Sequence, residues 1–379
     1  MSLKKVVIYQ RVVPSYRIPF FDELYDVLSQ KGVELTVVCG NENPNNNRLL
    51  EEINRPWAIQ RKVRYLNLFG TEIVFQAIRL SDLKFGSTVI VEQANRLVVN
   101  YVFYVLKALG VIKLGLWGHG KNFQSSDGNN LKEKFKRIYS KLPNRWFCYT
   151  ESGRALMVDN GYPKKQITVV YNSVDVKNLL IEKDRLSETE LSDLKSELAL
   201  DGDNVAIYCG GMYAEKRIGF LLDACLKIKQ DVEDFQVIFI GIGPESYLVE
   251  EFCLKNDWAH YVGEVYGVER VKYFCISSVM LMPGLVGLAV LDSIALQVPM
   301  VTTDIKLHSP EIEYLSSGFN GLIVEDDLHT YAQSIVDLLK DRDKLNNLKK
   351  GCMDVSYQYS IEMMANNFAE GVVKLLEIK

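Results

Sequence analysis

Short apolar runs rich in β-branched residues alternate with longer amphipathic runs along the whole chain. Parallel sheets covered by helices on both faces use almost continuously apolar strands, so this alternation predicts α/β domains with parallel sheets. The apolar runs form two series of six, separated by a polar segment. The predicted strands are 5–9, 33–39, 87–91, 112–117, 146–150 and 167–171 in the first series, and 204–209, 236–241, 259–262, 278–282, 300–303 and 321–324 in the second.

The two series predict two Rossmann-like, doubly wound domains, at residues 1–178 and 203–359. The segment between them, 179–202, is dominated by Glu, Lys, Asp and Ser and is interpreted as an exposed connector helix. The last stretch, 360–379, has apolar residues at helical spacing and is expected to pack back towards the first domain. Because ligands of such sheets bind beyond the carboxyl ends of the strands, segments that follow strands are the candidate sites.

Composition is that of a globular protein: 379 residues, 48% hydrophobic and 24% charged. The seven cysteines form no C-x-x-C pair, which is typical of reduced core cysteines in a cytoplasmic protein. The most apolar long run, 97–117, is interrupted by Asn100, Lys107 and Lys113, and Gly110 divides it. We therefore predict a buried helix followed by a strand in place of a membrane span, and no secretory leader.

Charge is distributed unevenly along the chain. Residues 1–175 contain 25 Lys and Arg against 15 Asp and Glu, a charge of +10, so the remainder has 19 against 33, a charge of −14. The segment 131–145 alone carries six basic residues and one acid. This segment fits an anionic membrane surface or phosphorylated lipid, although a solvated helix face has the same composition. No aromatic-interleaved motif indicates nucleic acid.

Residues 208–222, YCGGMYAEKRIGFLL, contain a predicted strand end, two glycines and a helix start. Gly210 and Gly211 would let the backbone approach a ligand, and amides at a helix start favour anions. Lys216 and Arg217 add positive charge that suits a diphosphate. The alternative is an ordinary strand–helix turn with solvated charges.

Two further strand ends carry weaker signals. GIGPE at 241–245 is half of a dinucleotide fingerprint, but Ser246 stands where the last glycine belongs, so a tight turn is favoured over NAD binding. LWGHGKN at 116–122 places His119 between two glycines. A histidine there could move a proton near neutral pH, whereas a lone histidine is more often structural.

Asp292 is the one acid in the apolar run 282–300, MPGLVGLAVLDSIALQVPM. A buried carboxylate needs a partner. One interpretation is a helix-start acid stabilised by the helix dipole. The other is a carboxylate that accepts hydrogen bonds from a ribose diol, with the amides of Gly284, Leu285 and Val286 facing a phosphate or sugar. Spacing alone does not separate the two.

In this order, these motifs resemble the retaining glycosyltransferases of family 4, which have the GT-B fold. The resemblance runs from PSYRIPFFDEL at 14–24 through YTESGRALMVDNGYP at 149–163 and ITVVYNSVD at 167–175 to GFNGLIVED at 318–326. The family signature has two glutamates separated by seven residues. The second aligns with Asp292, whereas the first aligns with Gly284, and the usual Gly-Arg is Gly210-Gly211 here.

The resemblance implies two domains with a cleft in which a sugar passes from a nucleotide-diphosphate donor to an acceptor, with retention at the anomeric carbon and without a bound metal or other cofactor. It implies catalytic roles for His119, Lys216 and Asp292. The donor-binding residues that it implies are Gly210, Gly211, Arg217, Gly243, Val262, Glu264, Gly284, Leu285, Val286 and Gly287.

The acceptor is expected on the basic first half, near Arg11, Tyr16, Arg17 and Lys121. A glycan or lipid-linked acceptor of cell-surface polysaccharide or lipopolysaccharide synthesis is expected, with the protein cytoplasmic and peripheral on the membrane face. Three alternatives compete: a GT-B nucleotide-sugar epimerase, a non-catalytic protein that binds sugar nucleotides or glycans, and a nicotinamide dehydrogenase. Gly211 and Gly284 favour the non-catalytic alternative, and the incomplete fingerprint weakens the last.

Overall fold

The chain folds into two compact α/β units in the computed structural model. The first comprises Met1–Val174 and Ile361–Lys379, and the second comprises Asp175–Ser360. The structure describes residues 4–40, 53–68, 71–79, 83, 86–94, 96–120 and 141–378. The segment predicted to be a connector, 179–202, forms helices inside the second unit, and the C-terminal stretch belongs to the first.

The first unit is built on a seven-stranded parallel sheet in the order β3-β2-β1-β6-β7-β8-β9. Its five central strands are buried on both faces, as the sequence pattern predicts, whereas its two edge strands are partly exposed. The strands are β1 (Lys4–Gln10), β2 (Val33–Cys39), β3 (Ala58–Gln60), β6 (Ser87–Glu92), β7 (Ile112–Gly118), β8 (Arg145–Cys148) and β9 (Ile167–Val169).

Four helices of the described chain cover this sheet: α1 (Ile18–Gln30), α2 (Val98–Ala108), α3 (Glu151–Asp159) and the C-terminal helix α12 (Ile361–Leu376). On one face α1 packs against α12, with Phe368 stacked on Phe147 of β8 at a centroid distance of 4.5 Å. The run 97–117 forms α2 and β7, as predicted, with the turn at Gly110, whose φ is +70°. No described helix is long and apolar enough to cross a membrane.

An antiparallel hairpin that the sequence pattern did not predict follows β3. It consists of β4 (Val63–Leu68) and β5 (Thr71–Gln76). Arg61, Lys62 and Arg64 interrupt the apolar pattern there, and only the inner face, which includes Val74, is buried. A strand with one wet face carries too few apolar residues to match the pattern of a parallel strand.

The second unit contains a six-stranded parallel sheet in the order β12-β11-β10-β13-β14-β15. The strands are β10 (Val205–Cys209), β11 (Gln236–Ile240), β12 (Ala259–Gly263), β13 (Val279–Leu281), β14 (Met300–Thr303) and β15 (Gly321–Val324). The helices are α4 (Val176–Arg185), α5 (Glu188–Glu197), α6 (Ile218–Asp231), α7 (Ser246–Lys255), α8 (Gly267–Cys275), α9 (Ala289–Leu296), α10 (Leu328–Lys340) and α11 (Arg342–Val355).

Strand order reverses direction once in each sheet, between β1 and β6 in the first unit and between β10 and β13 in the second. At such a switch point the two following loops diverge and leave a crevice at the carboxyl edge of the sheet. The relevant loops of the second unit are 210–217 and 282–288. They contain seven of the ten residues predicted to bind the donor: Gly210, Gly211, Arg217, Gly284, Leu285, Val286 and Gly287.

Candidate active site

The two loops at the switch point of the second sheet are joined by direct hydrogen bonds. The amide of Leu285 donates to the carbonyl oxygen of Glu215 at 2.8 Å. In return, the Nζ of Lys216 donates to the carbonyl oxygen of Leu285 at 2.5 Å. Lys216 is only 5% exposed. The lysine is therefore fixed by the backbone of the opposite loop.

No carboxylate of the described chain forms an ion pair with Lys216. Its other neighbours are the sulfur of Met282, at 3.8 Å, and the ring of Tyr213, 5.7 Å from Nζ to the centroid. Burial lowers the pKa of Lys216 to about 8. At neutral pH the side chain is therefore a largely protonated, poorly solvated cation, and an anionic ligand would stabilise it.

Gly284 stands where the resemblance places a glutamate, and the packing explains its identity. A Cβ atom at this position would lie 2.5 Å from the carbonyl oxygen of Lys216 and still closer to that of Glu215. Both obstacles are backbone atoms, so they cannot rotate away. The loop after β10 fills the space in which a longer side chain would begin.

The amides of Leu285 and Val286 correct one expectation. Both were expected to face a ligand, but both donate inside the protein: Leu285 to Glu215, and Val286 to the Nδ1 of His308 at 3.1 Å. The Nε2 of His308 lies 2.6 Å from the carbonyl oxygen of Thr303. Because Nδ1 accepts, Nε2 must carry the proton, and burial lowers the pKa of His308, which favours this neutral form.

Asp292 lies in the first turn of α9, buried, and its partner is Arg270 of α8. The two guanidinium nitrogens donate to the two carboxylate oxygens at 3.0 and 3.2 Å. Burial raises the pKa of Asp292, and the cation opposes that rise. Asp292 therefore already has a partner inside the unit: Arg270 donates one hydrogen bond to each carboxylate oxygen, so a ribose diol would have to share these oxygens with Arg270.

The glycines after β10 and β11 allow the two loops to pack backbone against backbone. A Cβ at Gly241, whose φ is +129°, would overlap the carbonyl oxygen of Gly210, and one at Gly243 would overlap the backbone of Met212. The amide of Gly243 is capped by the Oγ of Ser246 at 2.7 Å. The GIGPE segment is thus the tight strand–helix turn that the sequence favoured.

Arg217, expected to assist with the diphosphate, is engaged elsewhere. It has a left-handed conformation, with φ of +58°, before α6 begins. Its guanidinium pairs with Asp326 and lies 4.2 Å from the ring centroid of Phe220. Of the other predicted donor residues, Val262 is half-buried in β12, and the carbonyl oxygen of Gly211 accepts a hydrogen bond from the hydroxyl of Tyr208. Glu264 is exposed, and Gly287 is partly exposed.

His119 follows β7 at the carboxyl edge of the first sheet and is half-buried. Its ring meets Tyr149 edge to face, with centroids 4.5 Å apart. The next residue, Gly120, donates its amide to the Oε1 of Gln93 at 2.9 Å. Neighbouring strand ends therefore fix the position of the histidine.

The four predicted acceptor residues differ in their surroundings. Tyr16 is exposed, and Arg11 is exposed and 3.7 Å from Glu72. Arg17 is only 7% exposed and donates to the carbonyl oxygen of Ser173 and to the side chain of Asn172, all within the first unit. Arg17, which was expected near the acceptor, therefore supports this edge of the unit from inside. Lys121 lies outside the described residues, as does 131–140 of the basic segment.

Three residues beside the switch points of the two sheets were missed from the sequence. Arg270 could have been sought as the partner that buried Asp292 requires, and His308 as one of only four histidines. Glu92, at the carboxyl end of β6 beside the first switch point, accepts from the amide of Arg11. Burial raises the pKa of Glu92 to about 7, against the influence of Arg11. A lone glutamate at a strand end gives no sequence signal of this kind.

Two parallel sheets with one reversal of strand order each define the chain as a protein with two Rossmann-like domains. Residues 203–341, within the second unit, match the model of the family described as glycosyl transferases group 1. No curated protein matches the sequence. The family match covers both loops as well as Lys216 and Asp292, and it supports a glycosyltransferase.

Solved structures share this fold over almost their whole length. A sucrose-phosphate synthase from Thermosynechococcus elongatus is 15% identical, with 98% of this chain and 99% of that chain covered and a TM-score of 0.69. Anabaena Alr3699/HepE, in complex with UDP-glucose, is 11% identical, with 98% and 99% covered and a TM-score of 0.67. An E. coli protein described as trehalose-6-phosphate bound with UDP-2-fluoro glucose is 12% identical, with 99% and 100% covered and a TM-score of 0.71. At these identities the similarity establishes the fold.

Proposed function

We propose that this protein is a retaining glycosyltransferase of family 4 that transfers a sugar from a nucleotide-diphosphate donor to a glycan or lipid-linked acceptor. The observation that carries the proposal is the buried cation of Lys216, held at the switch point by the carbonyl oxygen of Leu285. A fixed cation in a poorly solvated crevice stabilises negative charge far better than a cation in water.

In the proposed reaction, the bond between the anomeric carbon and the donor diphosphate breaks, and a bond from that carbon to an acceptor hydroxyl oxygen forms on the same face. Lys216 stabilises the charge that develops on the leaving diphosphate. The acceptor proton leaves with the diphosphate oxygen, so no enzymic nucleophile is required. Asp292 acts through Arg270, which it holds in place, and His119 contacts the transferred sugar or the acceptor.

The donor is proposed to be a UDP-sugar, since HepE was crystallised with UDP-glucose and a pneumococcal O-GlcNAc transferase of the same fold with UDP and GlcNAc. The acceptor belongs to cell-surface polysaccharide or lipopolysaccharide synthesis on the cytoplasmic side. Among the described residues, no group of His, Cys, Asp and Glu could hold a metal ion. We propose a metal-independent reaction, which should keep its rate in EDTA.

The test is turnover of a panel of UDP-sugars, measured as the release of UDP in the presence and absence of glycan acceptors. Lys216→Ala should lower kcat/KM at least a hundredfold, because a charge-stabilising group of this kind contributes roughly 10² to 10³ in rate. Exposed Lys227, on neighbouring α6, provides the matched control, and Lys227→Ala should keep full activity. Equal activity of the two variants would refute the role of Lys216, and an inverted anomeric product would refute retention.

A non-catalytic sugar-nucleotide-binding protein is the second candidate. The backbone of Glu215 and Lys216 beneath Gly284 favours it, because it excludes the glutamate that the resemblance places there. The pairing of Asp292 with Arg270 also favours it, because this carboxylate is already engaged inside the protein. Such a protein would bind a UDP-sugar, with a rise in melting temperature, yet release no UDP from it over hours at high protein concentration.

A further inference from the structure

Helix α2 presents an apolar face to solvent. Its inner face is buried through Val99, Phe103 and Tyr104. On the opposite side, Val105 is 59% exposed and Leu109, which caps the helix, is 70% exposed. A helix that is apolar all round is ordinarily buried or in contact with lipid, so this face lacks its proper environment in water.

The hairpin β4–β5 extends this apolar surface. Strand β5 packs against α2 through its inner face. On the outer face, Leu66 lies opposite Ile73 and Arg64 lies opposite Phe75, and Leu66, Phe75 and Arg64 are all exposed. Apolar and basic side chains therefore alternate on the hairpin surface.

The charge around these elements is almost entirely positive. Residues 61–79 carry Arg61, Lys62, Arg64 and Arg79 against the single acid Glu72. The described stretch 96–120 adds Arg96 and Lys107 and has no acidic residue, whereas its third cation, Lys113, donates to the carbonyl oxygen of Leu376 at the end of α12. The surface thus combines exposed aliphatic and aromatic side chains with cations, which is the composition of a surface that lies in the headgroup region of an anionic bilayer.

We propose that the outer faces of α2 and of the hairpin β4–β5 form a docking surface for an anionic lipid bilayer. A second copy of the chain would also cover apolar residues. However, a symmetric pairing would bring two surfaces of the same positive sign together, in a half of the chain that already carries +10, and like charges oppose that contact. A bilayer rich in anionic lipid satisfies both the apolar side chains and the cations.

Co-sedimentation of the full chain with vesicles tests the proposal. Binding to vesicles of phosphatidylglycerol and phosphatidylcholine is expected to exceed binding to phosphatidylcholine alone, and 1 M NaCl should weaken it. The double variant Val105→Asp/Leu109→Asp should lower the apparent affinity at least tenfold. The matched control is Leu226→Asp/Leu254→Asp, which changes exposed leucines on helices of the second unit, and it should bind like wild type.

The charged double variant could lose vesicle binding because it misfolds, so a second variant is expected to gain binding. Val105→Trp should increase vesicle binding, since tryptophan prefers the membrane interface. Light scattering reports the oligomeric state. The proposal is overturned if anionic and neutral vesicles bind equally, if the α2 variant binds like its control, or if the variant instead dissociates a wild-type dimer. Membrane docking does not depend on the proposed transfer reaction. Turnover of the donor in the absence of vesicles tests that reaction separately.

Discussion

The close approach at Gly284 makes a quantitative prediction about stability and donor binding together. In Gly284→Ala, the added Cβ would lie 2.5 Å from the carbonyl oxygen of Lys216, whereas unstrained contacts are beyond about 3.4 Å. The loop after β10 must therefore move by the order of 1 Å. Overpacking of this kind costs about 1–3 kcal/mol. The same movement displaces Lys216 from the carbonyl oxygen of Leu285.

Urea unfolding and calorimetric titration with UDP measure the two effects. We expect Gly284→Ala to lose about 1–3 kcal/mol of unfolding free energy and at least tenfold in UDP affinity. The control is Gly219→Ala on α6, where an added Cβ has no neighbour within 4 Å. That variant should gain about 0.5–1 kcal/mol, because alanine favours a helix over glycine. If both variants were equally stable and bound UDP equally, the reasoning about the two loops would be refuted.

Three further predictions concern buried charges. Burial lowers the pKa of Lys216 to about 8, so the folded amine loses its proton before the unfolded one, and wild-type stability should rise between pH 8 and about 10.5. In Lys216→Met the midpoint of urea unfolding should no longer rise over this pH range, and the affinity for UDP should fall. Arg270→Met leaves Asp292 without its counter-ion and should cost about 3 kcal/mol at pH 7; burial raises the pKa of Asp292 and no cation opposes the rise in this variant, so the loss should shrink as the pH falls, and a pH-independent loss would contradict the ion pair. Burial raises the pKa of Glu92 to about 7, above its unfolded value, so the protonated carboxyl stabilises the fold below about pH 4.5, and this contribution is lost as the pH rises to 7. Glu92→Gln should flatten this part of the stability profile measured by thermal melting. An unchanged slope would contradict the raised pKa of Glu92.

The fold was predictable because periodicity is a local property. All twelve predicted strands are present, and the run 97–117 divides at Gly110 as its sequence suggests. The hairpin β4–β5 escaped because its outer face is wet and basic. A continuous apolar run identifies a strand buried on both sides, whereas a strand with one exposed face needs strict alternation, which Arg61, Lys62 and Arg64 obscure.

The site was predictable only in part, because its chemistry depends on contacts between distant segments. Spacing indicated which loops matter: Lys216 lies on the first, and Asp292 lies in the helix that follows the second. It could not indicate that Arg270, 22 residues before Asp292, occupies both carboxylate oxygens. Nor could it indicate that the amide of Val286 donates a hydrogen bond to the ring of His308. A sequence motif specifies which groups are near a site, and only the packed backbone decides which of their hydrogen bonds remain available.

Gly284 and Lys216 are therefore best understood as one feature. With a side chain at 284, the loop after β10 would have to lie further from the loop after β13, and the hydrogen bonds that join Leu285 to Glu215 and Lys216 would be lost. The absence of the glutamate thus allows the backbone approach that buries and fixes the lysine. A glutamate at 284, where the resemblance places one, would displace the cation, so the glycine at this position is a coupled property of both loops.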